Sequence, residues 1–280
     1  MSPSVREADA LEVRGARLVW GERTYLMGIV NASPDSFSGD GLAEPAAVLE
    51  RALEQRAAGA DILDLGAEST RPGHVPIPLE EELRRLVPAV RAVRAAAPEA
   101  ILSIDTFKPA VFRAAHAAGG DLLNSIHGLD AALLEAAVAC GAPVAIMHNG
   151  GADVDGVLRS LYAQATRAVA AGLPRERVVL DPGIGFGKTP EQNLALLGAL
   201  PRLVALGFPT LLGTSRKSTL GKLTGRPVDE RAFATAATVA LAAAAGIDIV
   251  RVHDVAAMRD TVRVADAIAR GWRPDGWSGA

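Results

Sequence analysis

Residues 100–126 read AILSIDTFKPAVFRAAHAAGGDLLNSI. A continuous apolar run, 100–104, closes on Asp105-Thr106; an Ala-rich segment with helical spacing covers 109–118; a second apolar run covers 121–126. Pro109 opens the middle segment and Gly119 lies just past its end, which is the ordinary punctuation of a helix. Runs whose apolar residues are continuous rather than alternating suit parallel strands buried on both faces. One strand–helix–strand unit is legible here, and it recurs in both directions. Apolar runs lie at 26–30, 61–65, 100–104, 121–126, 143–147, 178–180, 210–212 and 247–252. Helical patterns lie between and after them at 45–58, 79–96, 109–118, 131–139, 156–171, 190–206, 229–245 and 255–269. Eight such units in roughly 250 residues specify an α/β chain closed as a (β/α)8 TIM barrel rather than an open doubly wound sheet. Residues 11–25 read as a short N-terminal hairpin turning at Arg14-Gly15-Ala16, and 271–280 as a C-terminal tail without a clear element. The whole of 1–280 reads as one barrel domain.

Composition narrows the function classes. The 280 residues carry 29 basic and 32 acidic side chains, a net charge of −3, which argues against nucleic-acid binding by bulk electrostatics. With 49% hydrophobic and 22% charged residues the chain is globular, and at this length it buries roughly three quarters of its unfolded surface. A single cysteine, Cys140, rules out an internal disulfide framework and a multi-cysteine metal site, and its place at an Ala-rich helical end suits a structural thiol. No apolar window of ~18 residues suits a membrane span. Residues 1–10 do not have the character of a secretory signal, so the expected location is cytoplasmic. Only four basic residues are lysines: Lys108, Lys188, Lys217 and Lys222.

In a barrel of this kind the site is built at the C-terminal ends of the strands. All eight ends are polar. The first two runs lead into Asn31-Ala32-Ser33-Pro34-Asp35-Ser36-Phe37-Ser38 and Gly66-Ala67-Glu68-Ser69-Thr70-Arg71-Pro72-Gly73. The others lead into Asp105-Thr106, Asn124-Ser125, His148-Asn149, Asp181-Pro182-Gly183, Thr214-Ser215-Arg216-Lys217-Ser218 and Arg251-Val252-His253-Asp254. Any one of these alone is a helix cap or a loop side chain; eight on one face are a site. Asp105, Asn124 and Asp181 offer acceptors and amide edges for a flat heterocycle with several N–H donors. Arg71, Arg251 and His253, with Lys217 nearby, suit an anion such as a diphosphate. Asn31 is a neutral oxygen ligand able to hold hydrated Mg2+ beside phosphate oxygens.

Two further patterns compete for attention. Gly187-Lys188-Thr189 resembles the end of a nucleotide-binding P-loop, but Pro182 stands where that spacing needs Gly, and Thr189-Pro190-Glu191-Gln192 reads as a helix start. Lys217 alternatively reads as a Schiff-base lysine of a barrel aldolase, with Arg216 expected to depress its pKa, but a lone lysine at a strand end is weak evidence for that.

With these residues in view, the chain resembles the dihydropteroate synthases. Residues 27–41 and 61–73 are similar to the family's first two loop signatures. Ser103-Ile104-Asp105-Thr106, Asp181-Pro182-Gly183-Ile184-Gly185-Phe186, Gly213-Thr214-Ser215-Arg216-Lys217-Ser218 and Arg251-Val252-His253-Asp254 match the later ones in order. The resemblance runs from about residue 26 to residue 270. It implies a transferase of folate biosynthesis that joins p-aminobenzoate to 6-hydroxymethyl-7,8-dihydropterin diphosphate. It also implies that Asp105, Asn124, Asp181 and Lys217 hold the pterin, and that Thr70, Arg251 and His253, with Asn31 through Mg2+, hold the diphosphate. Asp35, Phe37, Thr70, Arg71, Pro72, Phe186 and Ser218 are implied to frame the p-aminobenzoate site. Asp105, Asp181, Lys217, Arg251 and His253 are the expected catalytic set, acting electrostatically. A homodimer and sulfonamide sensitivity are further implications. Three departures stand out: Gly66-Ala67 for the usual two glycines, Asn124-Ser125 for Asn-Asp, and Ser38-Gly39-Asp40-Gly41 for Ser-Asp-Gly-Gly. A methyltransferase on a similar pterin-binding barrel has no use for the diphosphate cluster. A paralogue that binds pterin without turnover is the alternative.

Overall fold

The computed structural model describes residues 9–32, 45–68 and 76–278. Ten strands, ten α-helices and two short 3-10 turns are found among them. A two-stranded antiparallel hairpin, β1 (Ala10–Val13) and β2 (Ala16–Val19), precedes the barrel. Then β3 (Tyr25–Asn31), α1 (Pro45–Ala57), β4 (Ile62–Gly66), α2 (Leu79–Ala96), β5 (Ile101–Asp105), α3 (Pro109–Ala117), β6 (Leu122–Ser125) and α4 (Ala131–Cys140) alternate. They continue through β7 (Val144–Met147), α5 (Val154–Ala170), β8 (Val178–Asp181), α6 (Pro190–Gly198), α7 (Leu200–Val204), β9 (Leu211–Leu212), α8 (Ser218–Thr224), α9 (Ala232–Ala245), β10 (Ile249–Val252) and α10 (Val255–Ala269). The eight strands β3 to β10 run parallel in the order β8-β7-β6-β5-β4-β3-β10-β9, and a parallel bridge between Leu180 and Thr210 closes the ring. This is the (β/α)8 barrel expected.

Each expected strand falls within two residues of its run. The helices differ where local chemistry intervenes. The pattern over 190–206 divides into α6 and α7 because the Pro201 ring lacks an N–H and clashes with the carbonyl four residues back. α5 starts at Val154, earlier than its periodicity suggests, because the Asp153 carboxylate accepts from Gly156 N at 2.7 Å. α8, bounded by a left-handed Gly225, carries too few apolar positions to register as a period. The hairpin is shorter than the expected 11–25: its turn is Arg14-Gly15, both left-handed, and Tyr25 already belongs to the barrel.

Strand side chains alternate between two cores. One side of each strand packs on the helices, with Leu63, Leu65, Leu102, Ile104, Leu123 and Val250 fully buried there. The other side fills the barrel. Tyr25, Met27, Ile62, Ile101, Leu122, Val179, Leu211 and Ile249 form a plug that Leu11, Leu18 and Trp20 of the hairpin segment cover from below. Two residues further along the same face the chemistry changes: Ile62 leads to Asp64, Leu122 to Asn124, Val179 to Asp181 and Ile249 to Arg251. The period of two thus places every one of these groups inside the barrel, above a dry floor.

The opposite end is tied by a repeated device. Three helix-to-strand turns read Gly-x-Asp, at Gly59-Ala60-Asp61, Gly119-Gly120-Asp121 and Gly246-Ile247-Asp248. Each glycine is left-handed and ends its helix, and each carboxylate accepts a backbone N–H of the neighbouring strand segment. Asp61 takes Leu26 N at 2.8 Å, Asp121 takes Leu102 N at 2.9 Å and Asp248 takes Thr210 N at 2.9 Å. Asp121 also receives Arg14 Nε at 2.7 Å and Arg94 Nη2 at 2.6 Å. Replacing Asp121 with Ala leaves two guanidinium groups and a buried N–H without this acceptor. The expected loss is about 3 kcal/mol of unfolding free energy by urea titration, and a loss below about 1 kcal/mol would show that the strand does not depend on it.

Candidate active site

Arg251, on β10, is the centre of the barrel mouth. Its Nε donates to Asp64 Oδ2 at 2.6 Å and its Nη2 to Asp105 Oδ2 at 2.9 Å. Asn124 Nδ2 reaches both Asp64 oxygens, at 3.3 and 3.2 Å. Asp64 has no exposed surface, and Asp105, Asn124 and Asp181 are also buried. The Asp181 carboxylate accepts from Gly183 N at 2.7 Å. Lys217 extends from the loop after β9, with Nζ 3.9 Å from the centre of the Phe186 ring.

Burial and charge pull these groups in opposite directions. Burial raises Asp105 to about 7, against the pull of Arg251 and with the help of Asp64. Burial raises Asp181 to about 6, against its bond from Gly183 and the attraction of Lys217. Lys217 falls to about 8, chiefly through burial and then through Arg251, while Asp181 and Asp105 oppose the fall. Arg251 moves the other way: despite burial, Asp64 and Asp105 hold it above its ordinary value. The expected influence of Arg216 on Lys217 is not what the geometry offers. The Arg216 guanidinium turns to Asp254, with bonds of 3.1 and 2.6 Å, and its backbone takes a left-handed φ of 58° between Ser215 and Lys217.

His253 lies two residues beyond Arg251 on the same face. Ser215 Oγ accepts from its backbone N at 3.1 Å and lies 2.9 Å from its Nδ1, which fixes the ring. Arg51 Nη2 and Gln55 Nε2 of α1 donate to its carbonyl at 2.9 and 2.8 Å. Lys108 joins Glu68, at the end of β4, to Glu82 of α2 and to the carbonyl of Ile77, at 3.0 Å for the last. Phe186 is half-buried and Ser218 exposed. Asp35, Phe37, Thr70, Arg71 and Pro72 lie outside the described residues.

The structure therefore brings Asp105, Asn124, Asp181, Lys217 and Arg251 together, with His253 beside them. It does not separate acids for a ring from cations for an anion. Arg251 sits among the acids, because carboxylates buried this deeply need a cation close by. Sequence reasoning missed Asp64. Its signal was there, a lone ionisable residue inside Ile62-Leu63-Asp64-Leu65, at the inward position. Gly187-Lys188-Thr189 is no phosphate loop: the Lys188 ammonium donates to the carbonyls of His148, Gly183 and Phe186, and Thr189 forms a capping box with Gln192. Cys140 is half-buried and burial raises its pKa, which suits an unreactive thiol.

Asn31 ends β3 beside Gly66 and is half-buried at the mouth. Among the described residues no group of three or more His, Cys, Asp or Glu side chains converges as a metal cage. One neutral amide oxygen at the rim fits a magnesium ion that arrives with substrate phosphates and keeps most of its other ligands from them and from water.

A closed barrel whose mouth holds carboxylates, an amide and cations at this depth offers acceptors and charge to a flat polar heterocycle. The family model described as "Pterin binding enzyme" matches residues 27–253, and the chain belongs to that family. It is 44% identical over 271 residues to the dihydropteroate synthase of Synechocystis sp., covering 91% of this chain and 92% of that protein. It is 39% identical, over 92% of its length, to a Mycobacterium tuberculosis protein named inactive dihydropteroate synthase 2, 86% of which is covered. The Xanthomonas albilineans dihydropteroate synthase, solved with 4-aminobenzoic acid, superposes with a TM-score of 0.89 and 41% identity over 95% of this chain and 100% of that one. The same enzyme is also known in complex with 7,8-dihydropteroate, with a TM-score of 0.85.

The depressed pKa of Lys217 has a thermodynamic consequence. Protonated Lys217 costs folding free energy below pH about 8, and the cost vanishes as pH rises toward the ordinary value of 10.5, where the unfolded chain also loses its proton. Lys217→Met is therefore expected to raise the urea midpoint at neutral pH and to lose that gain as pH climbs through this window. A midpoint that falls at neutral pH removes the penalty.

Proposed function

We infer that the chain is a dihydropteroate synthase, a transferase of folate biosynthesis. It joins 6-hydroxymethyl-7,8-dihydropterin diphosphate to p-aminobenzoate, giving 7,8-dihydropteroate and diphosphate. The observation that carries this reading is the buried cluster of Asp64, Arg251 and Asp105, flanked by Asn124, Asp181 and Lys217, in a chain matching such enzymes over nearly its full length.

The chemistry follows from the charges. The bond between the pterin methylene and the diphosphate oxygen breaks, and its electron pair leaves with the diphosphate. The methylene cation is stabilised by the electron-rich dihydropterin ring. The neutral aniline nitrogen of p-aminobenzoate then forms the new C–N bond and gives up a proton to water. No covalent enzyme intermediate is needed. In this reading the ionised Asp181 and the Asn124 amide hold the ring edge, and Asp105 and Asp181 balance the growing positive charge. Lys217 orients the ring from above Phe186. Arg251 and His253 stabilise the departing anion, and a shift of Arg251 from its carboxylates toward the diphosphate is the one rearrangement the cluster needs. Asn31 would hold Mg2+, which supplies charge neutralisation to the diphosphate oxygens when bound. Asp35, Phe37, Thr70, Arg71, Pro72, Phe186 and Ser218 remain assigned to the p-aminobenzoate side.

The same reading carries a cytoplasmic homodimer. Among the described residues no helix is long and apolar enough to cross a membrane. α9 and α10 present Phe233 at 92% exposure, Leu241 at 67%, Val264 at 60% and Ile268 at 81%, an apolar face that a second copy would cover. Phe233→Glu is expected to turn a dimer into a monomer in sedimentation velocity, and a wild-type monomer would remove the proposal.

The relatives named inactive keep alive a second reading, a paralogue that binds pterin without turnover. Product formation separates them. With Mg2+, diphosphate release should depend on p-aminobenzoate and be matched by dihydropteroate. Its kcat/KM should fall as pH drops through about 6 to 7, where Asp181 and Asp105 take up protons and lose acceptor capacity. It should fall again as pH rises through about 8, where Lys217 loses its charge. Tight pterin binding with no product would establish the paralogue.

A further inference from the structure

Lys188 is outside the chemistry described above, yet its surroundings are built. Its ammonium has three donors, and each meets a backbone carbonyl: Gly183 O at 2.9 Å, His148 O at 3.0 Å and Phe186 O at 3.2 Å. Two carbonyls belong to the loop after β8 and one to the end of β7. That loop needs a tie. Gly183, Gly185 and Gly187 all have left-handed φ, and such residues lose the most backbone freedom on ordering. The packing admits nothing larger: a Cβ on Gly183 would lie 2.0 Å from His148 O, and one on Gly187 would lie 2.7 Å from Gly150 Cα.

The tied loop touches two charged groups of the pocket. Gly183 N is the donor to Asp181 Oδ1 at 2.7 Å. The Phe186 ring lies beneath Lys217 Nζ, and the Lys217 chain runs over Gly185, whose added Cβ would meet its Cδ at 3.0 Å. Burial lowers Lys188 to about 8, with Asp181 opposing, so this position carries a cost that an apolar side chain would avoid.

We propose that Lys188 is a positioning residue for the pocket: by gathering the carbonyls of His148, Gly183 and Phe186 it holds the Phe186 ring under Lys217 and the Gly183 N–H on Asp181, and so sets pterin affinity without touching the pterin. The proposal rests on the reading of the mouth as a pterin pocket. The test compares the wild-type chain with Lys188→Met, which removes the donors at similar length, and Lys188→Arg, which restores charged donors. Titration with 6-hydroxymethylpterin is expected to show a Kd about tenfold or more higher for Lys188→Met, with a large part recovered in Lys188→Arg. The alkaline limb of pterin binding should also move to higher pH in Lys188→Met. Lys217 faces Arg251 on β10, Asp181 on β8, Asp105 on β5 and Lys188 itself, and losing one neighbouring cation lets it keep its proton longer. The limb should stay in place in Lys188→Arg, which keeps the charge, and a residue that only stabilises the fold would lower the melting temperature and leave pterin affinity unchanged where the variant is folded. Where Lys188→Met is insoluble, Lys188→Gln takes its place. Wild-type affinity in a folded Lys188→Met chain overturns this inference alone, whether or not the limb moves. A wild-type chain that does not bind the pterin overturns the reading of the pocket and the inference with it.

Discussion

The guanidinium of Arg251, shared between Asp64 and Asp105 inside a closed barrel, is the interaction on which the rest of the mouth depends. Two carboxylates at this depth would each cost several kcal/mol to desolvate, and their mutual repulsion would add to that cost. A planar guanidinium offers donors in two directions at once, which an ammonium cannot match with fixed geometry. It meets Asp64 through Nε and Asp105 through Nη2, and Asn124 satisfies further acceptor capacity on Asp64. The orientation of Asp105 and Asn124, and so the shape offered to a flat ring, follows from this arrangement.

That cluster is possible only because of what lies beneath it. The apolar layer from Tyr25 to Ile249, covered by Leu11, Leu18 and Trp20, keeps water from reaching the charges through the floor. Below that, Asp61, Asp121 and Asp248 tie strand starts to neighbouring strands. The two ends of the barrel use the same residue type for opposite purposes. At the base each aspartate accepts backbone N–H groups, joined by arginine at Asp61 and Asp121 and by the Thr210 hydroxyl at Asp248, and holds geometry. At the mouth burial raises Asp105 and Asp181 because their acceptor capacity is only partly met by the protein, and a ligand with N–H donors can meet the remainder and favour the ionised form.

How much of this was legible in the chain differs by level. The strand–helix alternation was plain because buried parallel strands leave apolar runs and helices leave glycine stops. The outcome over 190–206 was not, since Pro201 breaks a helix that the apolar period alone would continue. At the site, residues that follow an apolar run were easy to single out, and Asp105, Asn124, Asp181, Lys217 and Arg251 do converge. Asp64 was hidden by the same rule, because it stands inside the run where a strand was already assigned. What no pattern in the chain announces is pairing. That Arg251 would answer to carboxylates on β4 and β5, and Arg216 to Asp254 rather than to Lys217, depends on barrel closure bringing residues 187 and 146 positions apart into contact.

Pairing also bears on what a resting site of this composition can hold. An unpaired arginine and lysine in a low-dielectric mouth would attract any phosphate in the cell. With Arg251 neutralised by Asp64 and Asp105, an anion alone gains little, since taking the guanidinium leaves two buried carboxylates exposed to one another. A ligand that brings ring N–H donors to the acids and an anion to the cations in one molecule offsets both losses together. The requirement for a heterocycle and a diphosphate on the same substrate is thus a property of the charge balance, enforced by the depth at which that balance is kept.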